Sequence, residues 1–442
     1  MAIVHRSLPI YTMRLPGARI YVVNATSLIP AVQKHVRTLS FTPILVDMSA
    51  RLIGVSKKTF DIINRDPMSD NGFVLGMTKI TQRTLNPGPS LDRLNRKAAD
   101  IIARSLDSQA THESTTIELK GWVDHEIIMS TTDCIYGPLN PFRDPKVEAA
   151  WLKYETGLIP LLINLFPSAT AAKHVRARRI LVEAFESYIR DDGHSHEDTS
   201  AVIAERFEHY KQNGISVEDM ARIEVGQALG LISNMKPAAF WMLYFVFSDP
   251  AVLRECRFEL ADVCAEQDGV NVVDTRRLSQ SCPVLASTFQ ETLRVRGTGV
   301  SPRMAVEDEL LDGRFLLKKG GIVLIPAWVH HHDEGNWGDE AARFNHRRFV
   351  RESPPKSRGY NPVAFRGFGG GSTLCPGRHF ASAEVLALAA LVILRFDMEP
   401  LSGRWLCPTT GKSKPGIAVH QPDQDLWVTL RRRDSAKWSL KV

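Results

Sequence analysis

The stretch FRGFGGGSTLCPGRHFA, from Phe365 to Ala381, sets a single cysteine between a glycine-rich loop and an apolar segment. That pattern suits a metal-bound thiolate. Gly369, Gly370 and Gly371 let the backbone pass close under a flat group, and Pro376 fits a first helical turn. A helix N-terminus there would favour the deprotonated sulfur of Cys375; the competing reading is a buried structural cysteine beside a turn. Upstream, Glu291 and Arg294 in CPVLASTFQETLRVRG share one helical face, a spacing that taken alone is an ordinary ion pair. Arg303 offers a cationic fork to a carboxylate, the alternative being a solvated strand residue. In SNMKPAAFW, Pro237 deprives the Ser233 carbonyl of its helical donor and opens the chain beside Asn234.

Taken together, these residues resemble the cytochrome P450 superfamily. Its signature Phe-x-x-Gly-x-x-x-Cys-x-Gly is met by Phe368, Gly371, Cys375 and Gly377, with Thr373 where the family often has a basic residue. The resemblance implies that these four residues form the haem loop, with Cys375 as the axial thiolate on the iron of haem b. It implies that Glu291 and Arg294 join Arg348 of FNHRRF in a buried ion pair bracing that loop, although His346 replaces the family's proline between the matching Phe344 and Phe349. It assigns Arg303 to a haem propionate, and Arg96 likewise, although Asp92 stands where the family has tryptophan and a solvated helical face competes. His331 and Trp337 match the family's meander. The oxygen-side helix normally carries Ala/Gly-Gly-x-Asp/Glu-Thr. Here Gly230 to Asn234 lacks both acid and threonine, and the asparagine-containing run resembles the bile-acid hydroxylase and prostacyclin synthase branch. Asn234 then positions the distal ligand or water, with a kink that only aids packing as the alternative.

The elements that must hold these residues follow from periodicity. Ile10 to Val23 alternates around Pro16-Gly17 as a hairpin, and a short helix passes through Pro30. Phe60 to Pro89 reads as loops, and Ser90 caps a helix over SLDRLNRKAADIIARSL. Helices follow over Ile117–Tyr136, Lys146–Phe166 and Ala171–Arg190, then a solvated polar loop in which His194, His196 and Glu197 make a weak metal set. Ser216 with Asp219 opens a helix reaching Phe247, on the order of 45 Å long. Asp249-Pro250 starts another, DGVNVVD reads as a linker, and residues 302–326 form strands and hairpins. A long apolar helix after Cys375 and a strand-rich tail complete a mainly α fold with a smaller β-rich portion, expected as a single haem-thiolate domain over residues 1–442.

Composition excludes several classes. With 44% hydrophobic and 24% charged residues the chain is globular, and neither Ile223–Phe247, interrupted by Lys236 and Pro237, nor Val385–Phe396 reads as a membrane span. Six scattered cysteines suggest reduced thiols. The net charge of +6 suits an acidic redox partner, and no zinc-ligand or RNA-binding signature points to nucleic acid. No N-terminal anchor is expected, although the resemblance implies an intracellular location at the endoplasmic reticulum surface with peripheral membrane contact. It also implies insertion of oxygen from O2 into a hydrophobic substrate (steroid-, terpenoid- or polyketide-like, in secondary metabolism), with NADPH electrons arriving through a flavoprotein reductase. The rivals are reductant-independent peroxide or endoperoxide isomerisation, and haem binding without turnover.

Overall fold

The structure, a computed structural model, describes residues 8–163, 166–351, 360–413 and 416–441; the opening residues, on which the expectation about an anchor falls, lie partly outside them. Short strands run in chain order as β1 (Ile10–Leu15), β2 (Ala18–Val23), β3 (Leu39–Ser40), β4 (Ser114–Glu118), β5 (Cys264–Gln267), β6 (Val270–Asp274) and β7 (Val300–Ala305). They continue as β8 (Glu309–Leu311), β9 (Phe315–Leu317), β10 (Ile322–Pro326), β11 (Phe396–Pro400), β12 (Trp427–Arg432) and β13 (Lys437–Lys441). The largest sheet has the order β1-β2-β10-β7-β3; β4 pairs with β12 beside β11, and β13 lies parallel to β6 beside β5. Seven helices carry the site: α1 (Pro89–Gln109), α2 (Leu119–Tyr136), α3 (Pro145–Glu155), α4 (Val217–Ile232), α5 (Met235–Phe247), α6 (Pro283–Arg296) and α7 (Arg378–Arg395).

Helices dominate, as the sequence suggested, and α7 is their hub. Its segment from Glu384 to Arg395 is buried on every side, which suits a run with no polar face, and it packs on α1 and α5. The β1–β2 hairpin turns at Gly17 with φ of 73°, a value glycine adopts without strain. Ser216 accepts the Asp219 N–H at the start of α4, and Pro283 occupies the first turn of α6.

Several expectations need correction. The stretch from Phe60 to Pro89 is largely helical, with helices at Lys57–Ile63 and Phe73–Leu85. Gly76 does not break the second of these, because its bare Cα admits the His209 ring: an added Cβ would lie 2.4 Å from it. Helix α1 begins at Pro89 with Gly88 before it, so Ser90 is not the cap. The supposed linker DGVNVVD contributes β6. The long helix to Phe247 is divided into α4 and α5 at Ser233–Asn234, where Pro237 cannot donate to Ser233. His194 is 5% exposed rather than solvated, stacked 4.6 Å from Phe207 and in contact with Lys211. Among the described residues no cluster of metal-ligating side chains is present.

Candidate active site

The cysteine loop is built by its own backbone. Cys375 donates its N–H to the Phe368 carbonyl at 2.9 Å, Leu374 donates to Gly371, and Gly369 donates to Arg366. Gly369 and Gly371 have φ of 78° and 60°; a Cβ on Gly369 would lie 2.9 Å from the Thr373 carbonyl, and one on Gly371 would lie 2.7 Å from the Gln33 side chain. Phe368 packs near Phe289 of α6. Helix α7 starts at Arg378, so Cys375–Gly377 is a turn before it and Pro376 does not begin the helix. Burial pushes the Cys375 thiol up, opposed by a backbone hydrogen bond at Gly377 and the charge of Arg378. The helix end therefore does not by itself hold this sulfur as a thiolate; a bound cation would.

Behind the loop, Glu291 and Arg294 are 0% exposed and meet through two hydrogen bonds of 2.7 Å. Arg348 reaches the same carboxylate at 3.1 Å, as does the Asn345 N–H at 3.0 Å. Arg294 also donates to the carbonyls of His331 and Ala341, while Arg348 donates to that of Trp337. The His331 ring accepts the Arg366 N–H at 2.8 Å. The ion pair, the meander and the haem-loop segment are thus one hydrogen-bonded unit.

Arg303, on β7, is 1% exposed and donates to Thr373 at 2.6 Å, so threonine meets the arginine instead of a second cation at that position. Beside it stands Arg366, 5% exposed and donating to Ser301 at 2.9 Å. Burial, then the charge of Arg366, brings Arg303 down to about 10. Among the described residues neither arginine meets a carboxylate, and Arg366 Nε has no partner. A haem group, whose iron takes a thiolate and whose two carboxylates take cations, fits this donor set.

Arg366 was missed in the sequence; its only signal was being a cation inside the glycine-rich stretch. Arg96 lies elsewhere, on an exposed face of α1 with Asp100 as a neighbouring charge. Among the described residues no contact joins it to the loop. On the other side of the site, Asn234 Oδ1 accepts the Ala418 N–H at 2.6 Å, which ties the break to the turn after Ile417. That turn is also bound to the end of α6 through Thr298 and Gly299. Its Nδ2 remains free to donate, and a Cβ on Gly230, one helical turn earlier, would meet nothing within 4 Å.

Comparison with known proteins agrees with this geometry. A family profile described as cytochrome P450 matches residues 152–427. The chain is 32% identical to the cytochrome P450 monooxygenase nodJ of Hypoxylon pulicicidum over 98% of its own length and 86% of that protein. It is 26% identical to a cytochrome P450 monooxygenase of Gibberella zeae over 90% and 76% of the two chains. It is also 30% identical to the prostacyclin synthase of Homo sapiens, over 51% of this chain and 48% of that one.

Proposed function

From the premise that this chain belongs to the cytochrome P450 family, as an oxidoreductase of monooxygenase type with haem-thiolate iron, we propose that it inserts one atom of O2 into a hydrophobic small molecule. The substrate is steroid-, terpenoid- or polyketide-like and belongs to secondary metabolism, and electrons come from NADPH through a flavoprotein reductase. One observation carries the reading: Cys375 shares a rigid loop with Arg366, and Arg303 is buried against the same loop with no acid of its own.

Haem, when bound, supplies the chemistry of oxygen activation at a thiolate-ligated iron. The chain's residues do the rest. Cys375 would hold the iron, Arg303 and Arg366 would take the propionates, and the Phe368–Gly377 backbone would fix the sulfur. Glu291, Arg294 and Arg348 keep that loop in register. Asn234, whose side-chain oxygen accepts from Ala418, has its amide N–H groups to offer to an acceptor oxygen of a ligand. Space at Gly230 admits the ligand beside it.

The same Asn234 N–H donors support a second reading, rearrangement of a peroxide without reductant, since a peroxide offers two acceptor oxygens. Among the described residues no helix is long and apolar enough to cross a membrane. Exposed Leu15, Leu310 and Leu316 support peripheral contact with the endoplasmic reticulum surface.

The test is spectroscopic and then kinetic. Haem-loaded protein, reduced under carbon monoxide, is expected to give the red-shifted band of thiolate ligation, and Cys375→Ala to lose it. Product that needs NADPH, reductase and O2 supports oxygen insertion. Peroxide conversion without reductant supports the second reading, and no turnover across a broad substrate panel leaves a haem carrier.

A further inference from the structure

Oxygen insertion turns RH and O2 into ROH and water only if a pair of protons arrives with a pair of electrons. Those protons must reach a site lined by Gly230 and Asn234, and the run Gly230–Asn234 contains neither a carboxylate nor a threonine. A different buried pair stands next to the break. Lys236, in the first turn of α5 and 1% exposed, donates to Oε2 of Glu155, the last residue of α3, at 2.7 Å. Glu155 is 5% exposed and its Oε1 has no partner.

Unmet polar atoms gather along the same line. Ser233 Oγ, one helical turn before Lys236 and 4% exposed, is also without a partner, as is Trp151 Nε1, one turn before Glu155. Lys236 uses one of its three N–H donors on Glu155. Leaving buried groups unpaired is unfavourable, whereas a water molecule with several polar partners removes that cost.

We propose that Glu155 and Lys236 are relay residues in a hydrated proton path that ends at the helix break at Ser233–Asn234. This rests on the oxygen-insertion reading. Lys236 gives a proton through water to Ser233 Oγ, which passes its own proton to a ligand oxygen at the break. Glu155 hands Lys236 a replacement proton taken up from solvent, so every group returns to its starting charge. The pair lies outside the ligand space and acts through Ser233, so its members are positioning residues.

Two measurements test it. The first needs no turnover: an electron-density map resolving water is expected to show density within hydrogen-bond reach of both Glu155 Oε1 and Ser233 Oγ. A dry site overturns the path. The second uses Glu155→Gln and Lys236→Met with reductase and NADPH, each first shown to keep the thiolate band under carbon monoxide. Glu155→Gln is expected to slow NADPH oxidation by about tenfold, to raise the share of electrons lost as hydrogen peroxide and to alter the solvent deuterium isotope effect, with Glu155→Asp restoring part of each. If Lys236→Met leaves too little folded protein, the double variant Glu155→Leu/Lys236→Met, which removes both charges together, takes its place. Unchanged rate, peroxide share and isotope effect in folded variants overturn the relay. A wild type that oxidises no NADPH overturns the oxygen-insertion reading instead, while the map still decides whether the path is wet.

Discussion

Glu291 is a fully buried carboxylate that serves Arg294, Arg348 and the Asn345 amide at once, so its loss is felt both in α6 and in the stretch around residues 345–348. Glu291→Ala is expected to cost about 3 to 5 kcal/mol, because two arginines are left with a buried charge uncompensated; urea unfolding of the variant measures it. Arg366→Leu is expected to weaken haem retention while leaving secondary structure intact, which gel filtration of the loaded protein followed by its absorbance reports. Cys375, Glu291 and Arg294 were legible in the sequence because their chemistry is written in spacings of a few residues. Arg366 and Glu155 were not. Each matters only through partners far along the chain: Ser301 lies 65 positions from Arg366, and Lys236 lies 81 from Glu155.

Elements were legible where a helix carries its own start signal and a single apolar stripe, as in α6, and less so where tertiary contacts override local cues. The Phe73–Leu85 helix reads as a loop from its glycines, yet His209 supplies the reason for Gly76. The break between α4 and α5 was visible as Pro237 but not as an interruption of two residues. Pro237→Ala is expected to restore a donor to Ser233 and to slow hydrogen exchange of amides around 233–238, measured by mass spectrometry. Helices α2 and α7 are joined by Glu384, 2% exposed, which meets the hydroxyls of Ser130 and Thr131. Burial, opposed by those hydroxyls, lifts Glu384 from 4.5 to about 7. The folded chain therefore keeps this proton where the unfolded chain has released it. Stability falls as pH rises from 4.5 to about 7 and is level above. Glu384→Gln is expected to remove on the order of 3 kcal/mol of that slope, read as a flatter dependence of Tm on pH.

At the scale of the whole molecule the mainly α character was plain from composition and periodicity, whereas the sheet partners were not. Strand β4 pairs with β12 across most of the chain and β6 with β13 across a long separation, and strands this short carry no register information of their own. Trp438 of β13 is 8% exposed and joins the main core. Trp438→Ala is expected to cost about 3 kcal/mol, seen as a lowered Tm, without changing ligand spectra. Arg303 and Arg366 bear on more than catalysis. Two neighbouring cations sealed inside a fold favour any dianion that reaches them, so the pigment acts as a folding ligand. The lifetime of the chain in a cell then reports on iron and porphyrin supply. At equal message levels, an iron-starved host is expected to degrade it faster than a replete one, and pulse-chase labelling with and without a porphyrin precursor would show the difference.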